Sequence, residues 1–64
     1  MYGTQEVIRQ CVLPGMLVKH QGKTWRASAN TRGKLYLFNL TESKRISDYL
    51  VEICLDSRGH PLIH

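Results

Sequence analysis

His20, with Lys19 beside it and Lys23 and Arg26 following, is the grouping in this chain that could support acid–base chemistry on a phosphodiester. Cys11 or Cys54 with the same histidine could support nucleophilic chemistry. Both schemes need a third group to orient the base, and no spacing identifies one. Gly22-Lys23-Thr24 matches the end of a phosphate-binding loop, but Leu17 stands where its first glycine belongs, and 64 residues cannot hold the surrounding nucleotide-binding domain. Cys54, His60 and His64 with Cys11 number enough for zinc, yet their spacing fits no compact zinc motif. The residues therefore predict a protein that is not an enzyme and uses no metal or cofactor.

Charge is more informative than any of these groupings. Between Glu6 and Glu42 there is no acidic residue, while Arg9, Lys19, Lys23, Arg26, Arg32 and Lys34 all fall there. The net charge of +4 therefore originates in one stretch, because the remaining positions sum to −2. Such an imbalance points to a polyanionic or acidic partner. Cations at turns also serve as ordinary solubilising surface and discourage edge pairing, so the interval alone leaves both roles open.

A chain of 64 residues makes one domain, and a domain of that size buries only about 60% of the surface its unfolded chain exposes. Apolar content of 42% suffices for a folded core and argues against disorder. No run approaches the roughly 18 apolar residues of a membrane helix, and the first residues lack a basic segment followed by an apolar one. A cytoplasmic protein is expected, with Cys11 and Cys54 reduced and both buried as small apolar groups. Asn39-Leu40-Thr41 matches a glycosylation acceptor, which has no meaning without export.

Turn residues at Pro14-Gly15, Gln21-Gly22-Lys23, Thr31-Arg32-Gly33-Lys34 and Ser57-Arg58-Gly59 divide the chain at intervals that suit short strands. Residues 16–20 read as one strand. Residues 24–30 read as another, with Trp25, Ala27 and Ala29 alternating with polar neighbours. Residues 35–40 carry apolar groups on both faces, Leu35 and Leu37 on one and Tyr36, Phe38 and Leu40 on the other. Thr41 as N-cap, Glu42 beside it, and Ile46, Tyr49 and Leu50 at helical spacing predict a helical turn, followed by a last strand at 51–56. Residues 6–13 suit a strand or a helix, the β-branched residues tilting the balance to strand. The ends, 1–5 and 57–64, are expected to be loosely ordered.

The fold class is thus mainly β, a small SH3-like or OB-like barrel of four to five short strands with one helical turn before the last. Gly15-Met16-Leu17-Val18, Gly22-Lys23-Thr24-Trp25-Arg26-Ala27, Leu35-Tyr36-Leu37-Phe38 and Val51-Glu52-Ile53, in that order, resemble SH3-like modules of the Tudor or chromo-barrel type. The resemblance covers about two-thirds of the chain and implies a barrel rather than a ligand. The spacing of Trp25, Tyr36, Phe38 and Tyr49 does not establish the aromatic cage by which such modules hold methyl-lysine.

If residues 24–30 and 35–40 pair as a hairpin, Lys19, Lys23, Arg26, Arg32 and Lys34 converge on one side. That set could contact phosphates, with Tyr36 or Phe38 stacking on bases if outward. Nucleic acid, DNA ahead of RNA, is the leading partner, and a DNA-binding accessory or regulatory factor the leading role. The alternative is a protein-interaction module or small inhibitor that meets an acidic protein or self-associates, as a homodimer, through the 35–40 strand. Trp25 is expected in the core.

Overall fold

A computed structural model describes residues 3–63. Six strands form one antiparallel sheet: β1 (Thr4–Ile8), β2 (Leu17–His20), β3 (Lys23–Thr31), β4 (Lys34–Phe38), β5 (Ser43–Ile46) and β6 (Leu50–Cys54). Their order across the sheet is β1-β6-β2-β3-β4-β5, so β2 to β5 make a meander and the last strand inserts between the first two. Alternation places Val18, Trp25, Ala27, Leu35, Leu37, Ile46, Val51 and Ile53 on one side, where Val12 and Met16 join them in a single buried core.

Two of the meander's three hairpins, β2–β3 and β3–β4, owe their tightness to two-residue turns. Gln21 and Gly22 have φ of 52° and 79°, and Arg32 and Gly33 have 53° and 76°, the paired positive values that suit the right-handed twist of the flanking strands. A side chain at the first of these positions is strained, asparagine least so. Arg32→Asn should therefore stabilise the domain by about 0.5 kcal/mol, raising the thermal midpoint by roughly 2–4 °C in a melting scan.

The expected helical turn between residues 41 and 50 is absent. Asn39 Oδ1 accepts hydrogen bonds from the backbone N–H of Thr41 (3.0 Å) and Glu42 (2.8 Å), closing a turn that sends Ser43–Ile46 back along β4. Local side-chain bonding of this kind competes with helix formation. Ile46 then faces the core while Tyr49 and Leu50 stay exposed, so the helical spacing buries no stripe.

Residues 6–13 divide: β1 ends at Ile8 and a 3-10 turn covers Arg9–Cys11. That turn lies on the surface, and Cys11 is exposed rather than buried, whereas Cys54 is buried as expected. The chain end, from residue 56 on, folds back on the sheet through specific hydrogen bonds. Asp56 Oδ1 accepts from the N–H of Arg58 (2.9 Å) and His60 (3.0 Å), and the reversed chain bonds Leu62 to Leu17 and Cys54. Thr4 and Gln5 belong to β1; Met1, Tyr2 and His64, within the ends expected to be loosely ordered, lie outside the described residues.

Candidate binding face

The outward positions of β3, β4 and β5 form one surface. Arg26 stands opposite Phe38, Thr31 opposite Lys34, Tyr36 opposite Arg45, and Phe38 opposite Ser43. Cross-strand partners share a face and touch. The Arg26 guanidinium sits 5.8 Å from the Phe38 ring centroid, and Tyr36 and Phe38 each remain 37% exposed. Leu40, just past the end of β4, projects fully into solvent. Two shallow depressions of about 320 and 220 Å³ flank Phe38, one running toward Tyr36, Ser43 and Arg45, the other toward Leu17, Arg26 and Leu40. No outward position on these three strands carries a carboxylate.

The five cations singled out from the sequence do not form one line. Arg26 and Lys34 join the aromatic face, and Arg32 occupies the hairpin tip next to it. Lys19 lies on β2 opposite Glu52 of β6, so a carboxylate shares its neighbourhood. Lys23 Nζ is 2.6 Å from Glu42 Oε1. That ammonium, by hydrogen bond first and charge second, holds the Glu42 carboxyl below its ordinary value.

A carboxylate whose pKa falls on folding adds stability above its unfolded pKa and loses it as pH drops through the folded value. Glu42→Gln should accordingly lower stability at neutral pH and flatten the acid limb of the stability–pH profile below the ordinary carboxylate range, the difference from the parent vanishing once the folded carboxyl is protonated. Denaturant titrations at successive pH values measure it.

Two cations that sequence reasoning missed matter more. Arg45 projects from β5 beside Tyr36. Lys44, on the opposite face, turns over the Trp25 ring, 5.4 Å from its centroid, and donates to Gln21 Oε1 at 3.1 Å. Strand alternation could have separated the two, had Asn39-Leu40-Thr41-Glu42 been read as a turn.

The remaining aromatics do not join this face, and His20 stands opposite Lys23 across the β2–β3 turn. Trp25 is a core residue whose Nε1–H donates to the His20 carbonyl at 3.3 Å. Tyr49 is exposed beyond β5, so Trp25, Tyr36, Phe38 and Tyr49 enclose no common cage. Burial pushes the Cys54 thiol up, away from a thiolate. Among the described residues no three His, Cys, Asp or Glu side chains gather as metal ligands would.

No helix among the described residues is long and apolar enough to cross a membrane. No curated protein and no solved structure matches the chain. A family profile does match: it describes the KilR SH3-type barrel domain and covers residues 2–54. That span runs through every strand from β1 to β6. The order of short strands, the tight hairpins and the extent of the match agree, and the chain belongs to the KilR SH3-type barrel domain family.

Proposed function

We propose that this barrel is a non-enzymatic binding module whose β3-β4-β5 face takes an acidic protein surface. The carrying observation is the composition of that face: Tyr36, Phe38 and Leu40 exposed among Arg26, Lys34 and Arg45, with no carboxylate between them. Aromatic and arginine side chains are the types enriched at protein interfaces and at their energetic centres. A pure phosphate-tracking surface would instead hold its cations free and in line. Here Lys23 is engaged by Glu42, and Lys19 lies opposite Glu52.

Nucleic acid, DNA before RNA, is the second reading. It is favoured by Tyr36 and Phe38 standing two residues apart on one strand face, open to stacking by unpaired bases. A cytoplasmic setting suits either partner.

Fluorescence anisotropy decides between them with two probes, an eight-residue peptide of alternating Glu and Val and a thymidine oligonucleotide, each over a salt series. The first reading expects tighter binding of the peptide and a loss of at least tenfold on Phe38→Ala. Tighter binding of the oligonucleotide, with log affinity falling linearly against log salt over several charges, would establish the second reading and overturn the first.

A further inference from the structure

β5 is an edge strand, and its hydrogen-bonding pattern specifies which backbone groups are free. The Asn39 N–H donates to the Glu42 carbonyl at 2.9 Å, which makes residues 39 and 42 a hydrogen-bonded pair in the same register as the β4–β5 ladder. Bonded and non-bonded pairs alternate in an antiparallel ladder. Leu37 with Lys44 and Leu35 with Ile46 are therefore the bonded pairs. The N–H and C=O of Ser43 and Arg45 point away from β4, and among the described residues no other backbone bond reaches residues 43–48.

Edge strands are usually guarded by a proline, a bulge, a covering segment or a lysine projecting past the edge. β5 has no proline and no bulge in its pairing with β4. Its lysine is drawn inward, since Lys44 lies over Trp25 and bonds Gln21. Only shortness limits it, at four residues.

Charge indicates what this edge can take. Lys44 and Arg45 belong to β5 itself, and Lys34 and Arg26 stand on the two strands behind it. A second copy added edge to edge in antiparallel register, centred on Lys44 or on Arg45, would set that residue directly opposite its own counterpart with the other cations close by, and like charges directly opposite are destabilising. An extended acidic segment meets the same groups with opposite sign.

We infer that β5 accepts an acidic, extended peptide as an added strand, with the N–H and C=O groups of Ser43 and Arg45 supplying the ladder and a carboxylate placed opposite Arg45. This rests on the reading of the β3-β4-β5 face as an acidic-protein site and specifies how the partner docks. Main-chain bonds hold the segment, and alternate side chains reach the Tyr36–Arg45 face.

Backbone amide exchange measured by NMR, with and without the alternating Glu-Val peptide, tests it. Saturating peptide should slow exchange at the Ser43 and Arg45 amides at least tenfold while leaving Lys44 and Ile46, already bonded to β4, little changed. Arg45→Pro, which removes an N–H that β4 does not use, should weaken binding more than Arg45→Gln, which removes only the charge.

Peptide binding with unchanged exchange at Ser43 and Arg45 would overturn strand addition while leaving the acidic-partner reading intact. Absence of binding at low salt would overturn both. Protection of the same two amides without peptide, together with a doubled mass in light scattering, would overturn it in favour of a second copy.

Discussion

Trp25→Ala should destabilise the domain by about 3–5 kcal/mol, the largest single effect expected. The indole is buried against the meander strands, its N–H donates to the His20 carbonyl, and Lys44 covers its ring. Truncating a buried aromatic to alanine costs about 3–5 kcal/mol. A chain of 64 residues has about 3–10 kcal/mol in all, at roughly 0.05–0.15 kcal/mol per residue. The loss therefore consumes between about a third and all of the margin. Trp25→Phe keeps most of the volume and removes only the indole bond, so it should stay folded with a lower denaturant midpoint. Circular dichroism with urea titration of the two variants measures the difference, and a Trp25→Ala midpoint close to that of the parent would contradict the assignment of Trp25 to the core.

Asn30→Ala should cost about 2–3 kcal/mol, the second largest single effect, because unpaired polar groups away from water cost about 1–3 kcal/mol each. The Asn30 amide nitrogen donates to the carbonyls of Arg9 (2.7 Å) and Val12 (3.0 Å). Its oxygen accepts from the Arg9 guanidinium at 3.0 Å. One side chain on β3 thus secures the surface turn that joins β1 to β2. Among the described residues Arg9 Nε is buried without a partner, and the bond to Asn30 Oδ1 is the one side-chain bond the guanidinium makes. Asn30→Asp keeps the acceptor for Arg9 and removes both donors. It should fall between Asn30→Ala and the parent in the urea midpoint, whereas an unchanged midpoint in both variants would show the turn to be held by other groups.

Strand positions were legible wherever apolar and polar residues alternate. Trp25 and Ala27, Leu35 and Leu37, and Val51 and Ile53 all face the core as their spacing predicts. β5 was hidden because Ser43-Lys44-Arg45-Ile46 carries one apolar residue, which does not make a period, while Ile46, Tyr49 and Leu50 imitate a helix. Asn39 decided the matter through bonds to Thr41 and Glu42 that only a folded turn displays.

The candidate site was legible in part for a similar reason. Arg26, Tyr36 and Phe38 fall on one face by simple alternation across a hairpin. The carboxylates that meet Lys23 and Lys19 come from Glu42 and from Glu52, far along the chain. The acid-free interval between Glu6 and Glu42 is real in sequence, yet folding supplies the missing acids from its far boundary and beyond.

The strand order carries a consequence for how the molecule assembles in time. β2, β3, β4 and β5 are each neighbours in both chain and sheet, so their pairing closes only short loops and can proceed as the chain lengthens. β1 has a single partner, β6, and Thr4 must find Cys54 across nearly the whole polypeptide. The first strand of the domain is thus among the last to gain its partner. The meander is the natural nucleus, and the pairing of first strand with last is the closing step that commits the chain to a finished barrel.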